Sequence, residues 1–345
     1  MERYIAIDGV CAWPNLTRLP DGTIVATIFN QPCHGLWEGD VEAWASEDGG
    51  RTWGLRGTPA VHEPGTNRMN VAAGLSAGGD LVVLASGWSH RPRRGEGTAG
   101  HGSPAYPLPP WICRSRDGGR TWTHEHVVPP PGGESPNDSP QSSPRIIPFG
   151  DIVQLPDGSL GACLYSWRPP DERGCHFYTS SDDGYTWSVR GPIQVGDVNE
   201  TTPIVLPDGE LLACGRTTGD QHLELFRSID AGASWQREQQ VSQGAQHPGH
   251  LLALPDGRIL LTCGDRREGR HGIEVRLSDD GGRTWGDPRR LVDLDPGDLG
   301  YPSTVPGEEG TLVTAWYSAG VAVHERYHMG VAIWRCEEQF ARAGA

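Results

Sequence analysis

Short apolar runs separated by tight turns recur along the whole chain. Four of the turns read Leu-Pro-Asp-Gly, and each precedes an apolar run of β-forming residues such as Thr-Ile-Val-Ala at 23–26. These turns lie at 19–22, 155–158, 206–209 and 254–257, and looser versions lie at 77–80 and 307–310. Because Pro and Gly recur at each turn and the runs between them are short and alternating, the pattern predicts an all-β chain that closes radially. The six hairpins predict six blades.

A second repeat, out of phase with the turns, has the form Ser-x-Asp-x-Gly-x-(Thr/Ser)-Trp. It occurs five times, at 46–53, 115–122, 180–187, 228–235 and 278–285. A recurrence every ~50–70 residues indicates that one supersecondary unit is repeated. In each copy the Asp can accept hydrogen bonds from amides of its own turn, and the Trp can pack the hairpin against a neighbouring strand. We therefore expect these aspartates on outer hairpins, away from any ligand face: Asp48, Asp117, Asp182, Asp230 and Asp280.

This eight-residue motif is the Asp-box, and the chain resembles sialidase-type β-propellers. The resemblance implies an all-β fold, a six-bladed β-propeller of four-stranded antiparallel blades. Because the blades of a propeller share one closed ring, residues 1–345 are predicted to form a single domain. Stretches rich in Gly, Pro and charge near 89–110 and 124–144 are predicted insertions in blades 2 and 3. Long loops on a rigid ring usually lie over the ligand face, and a surface excursion is the alternative.

The composition excludes some classes of partner. All 29 basic residues are arginines and the formal net charge is −15, which argues against nucleic acid and anionic membranes as partners. No segment has the length and apolarity of a membrane span, and no signal-peptide core follows Met1, so the predicted location is the cytoplasm. The eight cysteines lack metal-type spacing and are predicted to be buried free thiols, and neither a metal nor a cofactor is predicted.

One position in each predicted blade points to the central channel. The innermost strand of each blade lines the channel of a propeller, so residues at one offset from each turn converge around the axis. Counting nine residues back from the turn glycines reaches Trp13, Asn70, Phe149, Glu200, Pro248 and Tyr301. One carboxylate, one phenol and two further aromatic side chains at one level are typical of a sugar-binding site.

Three segments make the resemblance to sialidases specific. The stretch at 199–209, followed by Arg216, is similar to the family segment that carries the Glu partner of a nucleophilic tyrosine and a carboxylate-binding arginine, which implies these roles for Glu200 and Arg216. The Cys-Gly-Asp-Arg-Arg stretch at 263–267 resembles the segment of another such arginine and leaves Arg266 and Arg267 as alternatives. The Gly-Tyr-Pro-Ser-Thr stretch at 300–304 resembles the one that bears the catalytic tyrosine, here Tyr301.

These residue types belong to one chemistry. Guanidinium groups bind a carboxylate bidentately, so arginines from separate blades can orient an acidic sugar. A phenol with its ordinary pKa of about 10 is a weak nucleophile unless a carboxylate takes its proton. Sialidases are glycosidases that use a tyrosine nucleophile. Further candidates for substrate binding are Trp13, Arg145 and His247, and for the last two a structural role is the alternative.

The first predicted blade departs from the family. Ala12, in the Cys-Ala-Trp-Pro stretch at 11–14, stands where the Phe-Arg-Ile-Pro-type motif of sialidases places its first arginine. Counting back from the first Asp-box, the family's acid/base aspartate falls at His34, and Asp40 is the nearest acid downstream. A histidine can serve as general acid or base near neutral pH. His34 is therefore a catalytic candidate in this sequence.

The sequence predicts an exo-sialidase-like glycoside hydrolase that cleaves a terminal glycosidic bond of an acidic sugar, with an acidic oligosaccharide or glycan as its partner. Two alternatives stay open. One is a uronate-directed lyase on the same fold, in which His34 or Tyr301 would remove the C5 proton of a uronate. The other is a non-catalytic sugar-binding propeller, because Asp-boxes are structural turns that also occur in proteins without hydrolytic activity. A carboxylate poised against a phenol would favour an enzyme.

Overall fold

The computed structural model describes residues 1–35, 38–89, 106–131, 146–166, 174–320 and 326–341, and β-strands dominate these residues. Three four-stranded antiparallel sheets are built from consecutive strands. The first contains β2 (Cys11–Arg18), β3 (Ile24–Phe29), β4 (Val41–Ser46) and β5 (Gly54–Ala60). The second contains β16 (Val198–Val205), β17 (Leu211–Thr217), β18 (Leu223–Ser228) and β19 (Gln236–Gln240). The third contains β20 (Gln246–Ala253), β21 (Ile259–Asp265), β22 (Gly272–Ser278) and β23 (Arg289–Asp293).

A fourth four-stranded sheet joins the two ends of the chain. It contains β24 (Leu299–Pro306), β25 (Leu312–Ser318), β26 (His328–Trp334) and, at its outer edge, β1 (Glu2–Asp8). The first strand of the chain thus completes the last sheet. This pairing closes the array radially and covers the edge of β26. The helix α1 (Cys336–Phe340) follows β26.

The remaining long strands form one continuous sheet of eight. In spatial order they are β11 (Thr123–Val127), β10 (Trp111–Ser115), β7 (Leu81–Ser86), β6 (Asn70–Leu75), β12 (Ile146–Gln154), β13 (Leu160–Ser166), β14 (Gly174–Ser180) and β15 (Ser188–Val195). The short strands β8 (Trp88–Ser89) and β9 (Tyr106–Pro107) pair separately.

The prediction of an all-β propeller is confirmed, but that of six separate four-stranded blades was wrong: the described residues form four such sheets and one sheet of eight. The eight-stranded sheet arises because β6 and β12 pair in parallel, with Gly150 opposite Ala72. Gly74 allows this approach, since a Cβ there would lie 2.3 Å from the carbonyl oxygen of Ile152. The two antiparallel halves of the sheet are therefore joined at their innermost strands.

The two sequence repeats occupy different hairpins. The Leu-Pro-Asp-Gly turns join an innermost strand to the next strand outward, and the Asp-boxes join the outermost strand to its neighbour, so the boxes lie on outer hairpins as predicted. In one box Asp280 Oδ1 accepts a hydrogen bond from the amide of Thr284 at 2.8 Å, and Oδ2 accepts one from its hydroxyl at 2.6 Å. The indole of Trp285 donates to the carbonyl of Gly282 at 3.1 Å. Each box therefore stabilises its own turn.

Apolar side chains fill the space between neighbouring sheets. Ile24 and Ile28 of the first sheet pack with Val313 and Val331 of the last one. Second strands such as β7 are buried on both faces because sheets cover them from either side. All eight cysteines are buried thiols, which confirms the prediction.

Parts of the predicted insertions lie outside the described residues, at 90–105 and 132–145. Within the described ranges, no helix is both long and apolar enough to cross a membrane.

Candidate functional site

The inner strands lose their regular pairing at one level of the ring. The register shifts between Cys11 and Asn15 in β2, between Val198 and Thr201 in β16, and between Gly300 and Ser303 in β24. β12 and β20 show the same break. Such bulges bend a strand and re-aim its side chains. They release Trp13, Glu200 and Tyr301, which the turn count selects, from the ladder. In β20 they release His247, the neighbour of the counted Pro248.

Tyr301 forms the centre of the site. Its φ is +52°, an uncommon value for a residue with a Cβ, and it lies between Gly300 and Pro302. Its hydroxyl donates to Glu200 Oε1 at 2.6 Å. Arg216 Nη1 donates to Glu200 Oε2 at 2.6 Å and to the Tyr301 oxygen at 3.1 Å. Three residues from two sheets thus form one closed hydrogen-bonded group.

Burial and neighbouring charges set the protonation states of Tyr301 and Arg216. Burial, and then the negative charge of Glu200, raise the pKa of Tyr301 well above its ordinary value, against the opposing effect of the arginines. The phenol is therefore neutral and is the donor to Glu200. Burial disfavours the charged form of Arg216, but the neighbouring Glu200 outweighs burial and raises its pKa. Arg216 is a permanent cation at the wall of the site.

The two consecutive arginines at the end of β21 point to different surroundings. The Arg266 guanidinium lies 5.6 Å from the ring centroid of Tyr301. Arg267 instead donates from Nε and Nη2 to the two oxygens of the fully buried Asp265, both at 2.8 Å, and lies 3.6 Å from Glu274. The structure thus places Arg266 with Tyr301. It places Arg267 in an ion-pair network with Asp265 and Glu274, and a role of Arg267 in substrate binding stays a prediction.

His247 is buried beside the two pocket arginines. Burial, together with the charges of Arg216 and Arg266, lowers the pKa of His247 to about 2, so its imidazole is neutral at any ordinary pH. Its Nδ1 atom is buried and has no hydrogen-bond partner among the described residues. His247 therefore contributes a neutral imidazole near two cations.

Trp13 connects His34 to the centre of the site. The Trp13 ring lies 5.2 Å from the Tyr301 ring and 5.3 Å from the His34 ring, centroid to centroid. His34 is half exposed, and its Nδ1 lies 2.7 Å from Asp298 Oδ2. Asp40, the other acid that the sequence pointed to, instead pairs with His62 at 2.6 Å. His34 thus lies at the rim of the group around Tyr301.

Arg145 lies outside the described residues. Ala12 is part of β2 beside Trp13.

Sequence reasoning missed three residues near Tyr301. Asp298 lies just before β24, and Tyr317 lies on β25, where its ring centroid is 5.6 Å from that of Tyr301. Tyr165 on β13 is buried, and this burial raises its pKa above the ordinary value. The charges of Glu200, Tyr301 and Arg216 have smaller effects on the same pKa. Counting from the turns selects one residue on each inner strand, so it cannot reach loops or second strands. A search for polar residues around the predicted tyrosine would have found Asp298.

A polar layer lines the channel next to Tyr301. Asn15 donates to Asp151 Oδ1 at 2.9 Å, and His250 Nε2 lies 3.0 Å from Asp151 Oδ2. The amide of Thr304 donates to His250 Nδ1 at 3.4 Å, so Nε2 carries the proton given to Asp151. The described residues contain no group of three or more His, Cys, Asp or Glu side chains arranged to hold a metal ion.

Comparison with known sequences places the chain in a family. Residues 107–314 match the BNR repeat-like domain, and the chain belongs to this family. It is 26% identical over 345 aligned residues to a sialidase of Micromonospora viridifaciens, covering 90% of this chain and 51% of that protein. It is 21% identical over 233 residues to a sialidase of Paraclostridium sordellii, covering 65% of this chain and 56% of that protein. The chain thus spans about half the length of these curated relatives.

Solved structures share the fold. A protein of unknown function from Dyadobacter fermentans superposes with a TM-score of 0.80 at 22% identity, covering 97% of this chain and 98% of that one. The Hadza microbial sialidase Hz136 gives a TM-score of 0.73 at 20% identity, covering 95% of this chain and 66% of the other. The protein is a sialidase-like BNR-repeat propeller.

Proposed function

We propose that this protein is a glycosidase of the sialidase superfamily that cleaves a terminal glycosidic bond of an acidic sugar, with Tyr301 as the nucleophile. The observation that supports this most strongly is the 2.6 Å hydrogen bond from the Tyr301 hydroxyl to Glu200, with Arg216 bonded to both residues. A sugar-binding module has no need of a buried phenol held against a carboxylate. A tyrosine nucleophile needs one to take its proton.

The contacts support a two-step reaction. In the first step the Tyr301 oxygen would attack the anomeric carbon while its proton passes to Glu200. The bond from the anomeric carbon to the leaving oxygen breaks, and that oxygen receives a proton from His34. In the second step water attacks the same carbon and gives a proton to His34. The Tyr301 oxygen then leaves and takes its proton back from Glu200. All groups return to their starting states.

The arginines support an acidic substrate. Arg216 and Arg266 come from different sheets, both act on the pKa of His247 and both are largely buried, so a carboxylate that contacts them would be bound in a site of low dielectric. The third arginine that the family resemblance implies is missing at Ala12. We infer that the carboxylate of an acidic oligosaccharide or glycan binds to two arginines.

We further propose that the eight-stranded sheet functions as two blades, so that residues 1–345 form one six-bladed domain. The inner strands β2, β6, β12, β16, β20 and β24 contact one another in this order, and β24 contacts β2. This closed circuit supports a six-fold ring in which the site lies around the axis.

The test uses the whole chain with two substrate classes, sialosides and oligosaccharides that contain uronate. We expect the wild-type protein to release free sialic acid, and Tyr301→Phe to lower kcat by at least about 10³-fold, because the phenylalanine ring has no nucleophilic oxygen. Formation of an unsaturated uronate, detected by its absorbance, would identify a lyase instead. Binding without turnover of either class would identify a non-catalytic propeller.

A further inference from the structure

The carboxylate of Asp298 connects several residues at the rim of the site. Its Oδ2 atom accepts hydrogen bonds from His34 Nδ1 at 2.7 Å and from the Tyr327 hydroxyl at 2.9 Å. Its Oδ1 atom accepts one from the Tyr317 hydroxyl at 2.5 Å and lies 3.6 Å from Arg266 Nη2. Four residues from three sheets or their loops therefore meet at one carboxylate.

This carboxylate is ionised. Burial opposes its charge, but the contacts with His34, Tyr317 and Arg266 outweigh burial and lower the pKa of Asp298 to about 2. An ionised carboxylate can only accept hydrogen bonds. The Nδ1 atom of His34 must therefore carry a proton, and Nε2 is the ring nitrogen left to exchange one.

The position of His34 suits proton exchange with a ligand. Its imidazole packs edge-on against Trp13, which also packs against the Tyr301 ring, and 46% of the His34 side chain is exposed. In the group around Tyr301, Asp298 is the carboxylate in contact with His34, whereas Glu200 is occupied by Tyr301 and Arg216. The two carboxylates thus serve two different proton-carrying side chains.

We propose that Asp298 is a positioning residue that holds His34 as the acid/base group for the leaving oxygen. The proposal rests on the glycosidase function proposed above. His34 gives its Nε2 proton to the glycosidic oxygen as the bond to the anomeric carbon breaks, and takes a proton from the attacking water in the second step. Asp298 keeps its charge throughout. Its role is to fix the orientation of the imidazole and to hold the Nδ1 proton.

The test compares two substrates that differ only in the leaving group. An acid catalyst matters for a sugar hydroxyl, which leaves poorly, and matters little for 4-nitrophenol, which leaves without protonation. We expect Asp298→Asn to lower kcat/KM, which reports only the steps up to departure of the leaving group, by about 10²- to 10⁴-fold on sialyllactose and by less than about tenfold on the 4-nitrophenyl sialoside. His34→Gln, at a half-exposed position, should show the same selectivity. If Asp298→Asn does not fold, His34→Gln is used in its place.

Two control variants distinguish a failure of the Asp298 proposal from a failure of the glycosidase proposal. Tyr301→Phe should reduce turnover of both substrates alike. Asp220→Asn, which changes a second Asp–His pair, the one with His222, should leave the ratio between the two substrates unchanged. Equal losses on both substrates for His34→Gln, or no loss on either, would overturn the role of Asp298 while the glycosidase assignment stands. If the wild-type protein cleaves neither substrate, both proposals fall.

Discussion

At the scale of single residues, the local backbone decides which side chain enters the site. Tyr301 adopts a positive φ at a bulge, and this conformation brings its hydroxyl to Glu200. Arg266 and Arg267 are neighbours in sequence and follow the end of β21, yet they contact different groups. The Arg266 guanidinium lies over the Tyr301 ring, while Arg267 pairs with Asp265. This difference gives a matched pair of variants.

We expect Arg266→Lys to raise KM for a sialoside by about tenfold or more with a smaller change in kcat, because lysine cannot bind a carboxylate bidentately. Arg267→Lys should leave KM unchanged and lower the free energy of unfolding, because Asp265 is fully buried and would lose its bidentate hydrogen bonds from Arg267. Steady-state kinetics and urea unfolding of both variants measure the two effects. The opposite pattern would show that Arg267 binds substrate.

At the scale of elements, the inner and outer hairpins have different roles. The inner hairpins carry the bulges that aim side chains at the axis, and the outer hairpins carry the Asp-boxes. The hydrogen bonds from Thr284, the largest influence, lower the pKa of Asp280 to about 2. A carboxylate with a lowered pKa stabilises the fold above its unfolded pKa of about 3.9, and the effect is lost as the pH falls through 2.

Asp280→Ala should accordingly lower the free energy of unfolding at pH 7 by about 1 kcal/mol, a modest amount because the box is exposed. The difference from wild type should shrink as the pH is lowered from about 4 to 2, since the wild-type carboxyl then becomes protonated. Urea unfolding at several pH values measures this. Asp287→Ala, at an exposed neighbour, is the control and should show little change at either pH. A difference that does not vary with pH would contradict the role of the charge.

Much of this arrangement could be predicted from the sequence because turns are local. The Leu-Pro-Asp-Gly turns and Asp-boxes locate the hairpins, and the count from the turns selects Trp13, Glu200 and Tyr301. The pairing of β6 with β12 could not be predicted, since it depends on the close approach of two backbones at Gly74. Asp298 was missed because its contacts come from three separate parts of the chain.

At the scale of the whole molecule, the net charge of the protein differs from the local charge at the site. The formal net charge is −15. At the site, Arg216 pairs with Glu200 and Arg266 lies near Asp298, so the two cations are balanced by two carboxylates. An anionic glycan therefore approaches a negative molecule and meets no excess of positive charge until it contacts the arginines. Long-range repulsion should slow its association.

This predicts an unusual response to salt. Raising the ionic strength from about 0.01 to 0.15 M shortens the screening length from about 30 to 8 Å. We expect kcat/KM for an anionic sialoside to rise by about two- to fivefold over this range, because repulsion by the net charge is screened while the buried arginines are screened much less. The kcat for the same sialoside, which does not depend on association, is the control for general effects of salt on the protein. Stopped assays at fixed pH measure both quantities. A fall in kcat/KM with kcat unchanged would show that a local positive potential, rather than the net charge, governs association.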